Sequence, residues 1–288
     1  MAEYPLATSP ALPTQAATDA QLIALWLHGR SPHTQRAYRA DVARFLAATG
    51  KVLSQTTLGD LQGYSDRLTG QAPTSRARRL AAVKSLLSFG HRLGYLHFDV
   101  GKPLRLPAAK ATLAERILPE ADVQRLLALE PQPRNRALLR LCYAAAVRVS
   151  ELCALRWRDL QPRGDAGQVT IFGKGSTTRA ILLPAGPWRE LLTLRGAAGH
   201  DDPIFRSRQG GHLDPSQARR IVYAAAKRAE ITLQVSPHWL RHAHASHALD
   251  RGCPIHLVQA TLGHTSVATT GKYLHARPTE SSATYLAV

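Results

Sequence analysis

The chain has 288 residues, 44% of them hydrophobic and 20% charged, which is enough apolar material for two cored domains and excludes a disordered polyelectrolyte. Lys and Arg outnumber Asp and Glu by 37 to 20, and the excess runs through the chain: 13 against 6 in residues 1–105 and 24 against 14 in 106–288. Such a balance favours a polyanionic partner, through long-range attraction and counterion release, and the basic residues form no polybasic run beside an apolar anchor that would point to a membrane surface. No secretory leader, membrane-length apolar run or CxxC pair is present, and the three cysteines are widely spaced, so a soluble protein of a reducing compartment is expected, without a disulfide framework or structural zinc.

Residues 1–18 are rich in Pro, Thr, Ala and Ser and are expected to be a flexible lead-in. A helical domain is expected over 19–102. Ser31 and Pro32 open one of its helices as cap and first-turn proline, with Tyr38, Val42, Phe45 and Leu46 as the apolar stripe and Gly50 as the stop. Thr57 and Asp60 have capping-box spacing. Thr74 is expected to open the next helix, with Leu80, Val83, Leu86 and Leu87 inward and Arg76, Arg78, Arg79 and Lys84 mostly outward.

Residues 103–118, with two prolines and little periodicity, predict a linker before a second domain over 119–288. Helices are expected at 119–129 and 133–146. QVTIFGKGSTTRAILLP has β-branched apolar runs around a Gly-containing turn, the pattern of a hairpin, and a short strand is expected at 203–205. Helices at about 214–229, 237–251, 254–262 and 266–275 complete a fold that is mainly α with a small antiparallel sheet.

Four segments of the second domain carry chemistry. Arg148, at the end of an apolar helix, is followed three residues later by Glu151, which fits an ion pair as well as a functional guanidinium. Lys174 sits at the hairpin tip in GKGS, a spacing that is not a phosphate-binding P-loop. In SPHWLRHAHASH, Ser236 and Pro237 start a helix, so that His238 and Arg241 share a face and His242 lies one turn from His238. Four histidines in twelve residues invite a metal, but the zinc-protease spacing HExxH is missing and Arg241 would repel a cation, so no metal is assigned. Finally His264 follows Gly263, and Tyr273 lies nine residues further on.

Taken in order, RVSEL with Arg148, GKGS with Lys174, HWLRH with His238 and Arg241, LGHTS with His264 and TTGKY with Tyr273 resemble the tyrosine recombinase family, the site-specific DNA recombinases that include phage integrases and Xer enzymes. HTQRAYRADVARFL in the first domain resembles that family's core-binding domain. One departure stands out: the pair before Arg148, often Gly-Leu in this family, is Ala146–Val147.

The resemblance implies two domains forming a C-shaped clamp on double-stranded DNA, two protomers per site and a tetramer in the synapse, or pairing with a paralogous recombinase, in the cytoplasm at the nucleoid. Arg148 and Arg241 would clamp the scissile phosphate, Tyr273 would attack it, His238 would take the phenol proton, His264 would bond the phosphate and Lys174 would protonate the leaving 5′ oxygen. Glu151 and His242 would support these groups. A 3′-phosphotyrosine conserves the bond energy, so no cofactor, ATP or metal is implied. Arg36, Arg39, Arg76, Arg78, Arg79 and Lys84 are the expected DNA contacts of the first domain. The C-terminal segment after Tyr273, from Leu274, is expected to dock on a neighbouring protomer or fold back on its own. Tyr223 and Tyr285 compete with Tyr273 as nucleophile.

Overall fold

The computed structural model describes residues 14–107, 113–173 and 177–274. Lys174, Tyr285 and the C-terminal segment from His275 lie outside the described residues, as do residues 1–13 of the expected lead-in. The chain divides into two compact units, 1–110 and 111–288.

The first unit is built from α1 (Asp19–Leu27), α2 (Pro32–Thr49), α3 (Leu58–Arg67) and α4 (Pro73–Arg92). Ser31 Oγ accepts from Thr34 N, Pro32 supplies a preset first turn, and Gly50 takes a left-handed φ of 65° to end α2. Thr57 and Asp60 form the reciprocal capping box of α3. The next helix begins one residue ahead of Thr74, at Pro73, with Ala72 at the cap position and no side-chain cap bond. Proline fixes the helical φ where an N–H would go unpaired in any case, so the ring sets the start here. Leu22, Trp26, Phe45, Leu61, Leu80 and Leu86 fill the core of this unit, and burying side chains of that size stabilises it by roughly 1.5–3 kcal/mol each.

The second unit contains α5 (Glu120–Ala128), α6 (Pro133–Ala144), α7 (Val149–Ala154), β1 (Leu160–Arg163), β2 (Ala166–Phe172), β3 (Thr178–Leu183), α8 (Ala185–Thr193), α9 (Pro215–Arg228), α10 (Pro237–Asp250), α11 (Ile255–Leu262) and α12 (Val267–Gly271). The sheet is antiparallel in the order β1-β2-β3, with Val169 opposite both Leu160 and Ile181. Val169, Ile171, Ile181 and Leu183 are buried, as period-two alternation requires. A Cβ at Gly167 would come within 2.1 Å of the Trp188 ring, so glycine lets α8 lie against β2.

Pro203–Phe205 is not a strand: Pro203 makes only an isolated bridge to Arg156. Helix α6 stops at Ala144 rather than 146, because Ala146 has a left-handed φ of 47°. Strand β1 carries a proline and only one half-buried residue, so as a sheet edge it shows no alternation to read. Ile117 and Leu118 are buried in the second unit.

Candidate active site

The Ala145–Val147 corner between α6 and α7 organises the site. Its left-handed Ala146 turns the chain so that Arg148 occupies the N-cap position of α7, where Glu151 Oε2 accepts from Arg148 N at 2.8 Å. Glu151 Oε1 also accepts from Arg148 Nη1 at 2.8 Å. Burial would raise the Glu151 pKa, but hydrogen bonds from Arg179 and Arg148 overcome it and hold the carboxyl below its ordinary value.

Arg241, on α10, is 5% exposed and is oriented by two backbone carbonyls. Its Nη1 donates to Ala146 O and its Nη2 to Leu262 O. The first acceptor lies two residues before Arg148, the second two residues before His264. One guanidinium therefore ties together the backbones that carry two other site residues. Leu262 O belongs to the open C-terminal turn of α11, where a cation also opposes the helix dipole. Burial, then the Arg148 charge, lowers the Arg241 pKa to about 10, which leaves it protonated at neutral pH.

Gly263 ends α11 with a φ of 63°, and His264 follows, its Nδ1 3.0 Å from Thr270 Oγ1 and its carbonyl accepting from Gln259 Nε2. Burial and the Arg241, Arg148 and Arg179 charges hold the His264 imidazole down to about 4, so it is neutral near pH 7. His238 lies on the exposed side of α10; desolvation by its surroundings, then Arg241, Arg219 and Arg148, also lower its pKa from 6.5. A cleft of about 840 Å³ is lined by Arg148, Ser150, Thr177, Thr178, Arg179, Gly263, His264, Thr265 and Thr269.

Tyr273 is 5% exposed, packed with Ile117, Ala146, Ala245, Val258 and Leu262. Its hydroxyl is hydrogen-bonded to His242 Nδ1 at 2.7 Å; among the described residues no bond joins it to His238. Sequence spacing puts His238 and His242 on adjacent turns of one helix but does not say which of them meets the phenol. Tyr223, by contrast, is 52% exposed on α9.

The other two histidines of the stretch are braces. His244 Nδ1 bonds Tyr143 O at 2.8 Å, while His247 bonds Tyr143 Oη at 2.9 Å through Nδ1 and Leu118 O at 3.0 Å through Nε2. Among the described residues no three His, Cys, Asp or Glu converge as metal ligands.

One residue that sequence inspection passed over is Arg179 on β3. Its Nη1 and Nη2 donate to the two oxygens of Glu151 at 3.1 and 2.7 Å, and its Nε donates to Thr261 O at 2.9 Å. A signal was present: Arg179 falls in the inward phase of β3 with Ile181 and Leu183, and an arginine in that phase needs a partner inside. The hairpin closes through Gly173 N donating to Thr177 O at 2.7 Å, on either side of the undescribed tip with Lys174.

In the first unit Arg36 and Arg39 are exposed on α2. Arg78 pairs with the fully buried carboxylate of Asp41, whose other neighbours are Arg44 at 3.4 Å and Arg79 at 4.0 Å. Arg76 donates to Ser65 Oγ at 3.0 Å, and Lys84 Nζ to Lys102 O and Leu104 O at 3.0 and 2.8 Å. Arg76, Arg78, Arg79 and Lys84 thus have protein partners, whereas among the described residues no hydrogen bond or ion pair takes Arg36 or Arg39.

Residues 116–280 match the Phage integrase family, and residues 22–94 match the Phage integrase N-terminal SAM-like domain. The Tyrosine recombinase XerC of Myxococcus xanthus is 34% identical over 268 residues, covering 85% of this chain and 87% of its relative. Among solved structures, the XerH site-specific recombinase bound to palindromic difH substrate, in its post-cleavage complex, matches with a TM-score of 0.74 at 20% identity, covering 91% of this chain and 82% of that one. The lambda integrase tetramer bound to a Holliday junction matches with a TM-score of 0.74 at 16% identity, covering 91% and 77%. The chain belongs to the phage integrase family and is a site-specific DNA recombinase of the tyrosine class. Its mainly helical fold with one small antiparallel sheet is the fold of those structures.

Proposed function

We propose that Tyr273 is the nucleophile that cuts and rejoins DNA strands, with Arg148 and Arg241 holding the scissile phosphate. The phenol oxygen attacks phosphorus, the bond to the 5′ oxygen breaks, and a 3′-phosphotyrosine forms with a free 5′-hydroxyl. One phosphodiester is exchanged for another, so the return attack by a 5′-hydroxyl from a partner strand needs no ATP. Two guanidiniums neutralise the charge that builds on the non-bridging oxygens and remain protonated throughout, so the proposal calls for no metal. His238, a neutral imidazole with no protein partner among the described residues, takes the phenol proton, and His264 donates to a phosphate oxygen. Lys174 gives a proton to the leaving oxygen, Glu151 orients Arg148, and His242 holds the nucleophile at rest.

The observation that carries this assignment is the pair of bonds from Arg241 to Ala146 O and Leu262 O, which holds the backbones next to Arg148 and His264 to one guanidinium. Duplex DNA is the partner, met first by Arg36 and Arg39 on α2, with two protomers per site and four in the synapse. The net charge of +17 and the tetrameric lambda integrase complex support that arrangement.

Genomic DNA of the source organism, incubated with the chain and digested to its protein-bound ends, would give the target site. Plasmids carrying that site are expected to yield recombinant joints. Relaxation of supercoils without joints, or no adduct at all, would contradict the proposal.

A further inference from the structure

We propose that Arg179 is a positioning residue for cleavage: by gripping Glu151 with both prongs of its guanidinium, it leaves Arg148 open to the scissile phosphate. This rests on Arg148 being a phosphate ligand, as proposed above. A buried carboxylate beside a lone arginine closes into a two-pronged pair, because parallel N–H···O bonds are the strongest arrangement the two groups have. That pairing at Arg148 would occupy two of its three nitrogens and cancel its charge.

Here the fork belongs to Arg179. Its Nη1 and Nη2 take the two oxygens of Glu151 at 3.1 and 2.7 Å, while Arg148 contributes one guanidinium nitrogen, Nη1, and its backbone N–H, each at 2.8 Å. Among the described residues no hydrogen bond takes Nε or Nη2 of Arg148. The Arg148 side chain is 39% exposed and lines the cleft, whereas that of Arg179 is 12% exposed. One carboxylate shared by two guanidiniums leaves a net positive charge, and the exposed Arg148 is the end that faces a ligand.

Arg179 is itself held fast. Its Nε donates to Thr261 O at 2.9 Å, and a Cβ on Gly263 would lie 3.2 Å from its Cδ, so the side chain runs along the backbone that leads to His264. It stands on β3, five residues after Lys174. One side chain thus joins the strand after the hairpin, the α7 start with Arg148 and the α11 end before His264.

The test uses a nicked duplex carrying the site recovered from genomic DNA, with single-turnover adduct formation and DNA affinity measured on the same preparations. Arg179→Met is expected to lower the adduct rate on the order of 100-fold, comparable to losing one charge-stabilising donor. Its DNA affinity should stay within about 3-fold, since affinity is spread over many cations. In Arg179→Met/Glu151→Gln the neutral amide cannot hold Arg148 in an ion pair, so the rate should recover at least about 10-fold over Arg179→Met. Arg179→Lys, which keeps the charge without the fork, should fall between wild type and Arg179→Met.

A purely bracing role predicts a double variant no faster than Arg179→Met, and that result overturns the proposal, as does Arg179→Met cleaving at the wild-type rate. If Arg179→Met fails to fold, Arg179→Lys against Arg179→Lys/Glu151→Gln makes the same comparison. A wild-type chain that forms no adduct overturns the proposed function as well; wild-type activity with an unaffected Arg179→Met overturns this inference alone.

Discussion

Tyr273 Oη and His242 Nδ1 share a hydrogen bond of 2.7 Å, in a pocket that leaves the tyrosine 5% exposed. Burial raises the phenol pKa against the opposing Arg241 charge, and burial with His238 and Arg241 lowers the imidazole to about 4. Near neutral pH both groups are therefore uncharged, and the bond joins two neutral partners. Such a bond holds the Tyr273 phenol without activating it, so for the proposed attack the phenol has to leave His242 before it can reach a phosphate.

His242→Phe keeps a ring in place but removes the acceptor. A buried hydroxyl left without a partner costs about 1–3 kcal/mol, so the variant weakens the resting pose rather than the chemistry. Adduct formation on the nicked duplex is expected to be as fast as wild type or up to about 10-fold faster. A loss of about 100-fold or more would instead make His242 the proton acceptor.

The same histidines set a pH dependence. His242, His244 and His264 are each held at about 4 when folded, chiefly by burial, against 6.5 for a free imidazole. Between those values the unfolded chain binds protons that the folded chain refuses. Their contribution is therefore fully favourable above pH 6.5 and declines as pH falls towards 4. Urea midpoints are expected to drop between about pH 7 and pH 5, a window above the ordinary carboxylate range. A flat midpoint across it would contradict these assignments.

The two arginines should differ in what they support. Arg241 bonds two carbonyls from inside the fold, whereas Arg148 is 39% exposed and makes its contacts with Glu151. Arg241→Lys is expected to destabilise the chain by roughly 1–3 kcal/mol. Arg148→Lys should leave stability within about 1 kcal/mol. Both should slow cleavage by about 100- to 1000-fold: Arg148→Lys loses the fork that a phosphate oxygen pair meets, and Arg241→Lys loses the guanidinium that ties Ala146 O to Leu262 O. Thermal unfolding beside adduct kinetics separates the two effects; equal stability losses would show that Arg241 is not the anchored member.

Much of the fold can be read directly from the chain. Ser31-Pro32, Thr57-Asp60 and Gly50 mark helix ends because caps and prolines act within a few residues. The hairpin is visible in its β-branched runs. The left-handed Ala146 is not, since alanine gives no local sign of a positive φ, and the groups that surround it, Ala245, Leu262 and Tyr273 with the Arg241 guanidinium on its carbonyl, are distant in the chain. The Gly-Leu to Ala-Val departure was the only pointer to that corner. Arg179 and His242 were harder still to assign, because their partners stand 28 and 31 residues away and only tertiary structure brings them together. Helical spacing placed His238, Arg241 and His242 on neighbouring positions but could not choose between the imidazoles.

In the first unit, the exposed and the paired arginines should respond differently to substitution. Arg36→Ala removes an exposed cation, so it should reduce the salt slope of DNA affinity by about 1 and leave stability unchanged. Arg78→Ala removes a partner of the fully buried Asp41 carboxylate and should cost about 1–3 kcal/mol of folding stability. Fluorescence anisotropy over a salt series, with urea unfolding of each variant, checks both. An Arg78→Ala chain as stable as wild type would show that Arg44 and Arg79 suffice for Asp41.

The central claim is that Tyr273 becomes joined to DNA. Tyr273→Phe should bind the nicked duplex as wild type does and form no covalent adduct, while Tyr223→Phe still forms one. Mass spectrometry of the wild-type adduct should place the phosphate on the peptide containing Tyr273. An adduct that persists in Tyr273→Phe and disappears in Tyr285→Phe or Tyr223→Phe would contradict the account.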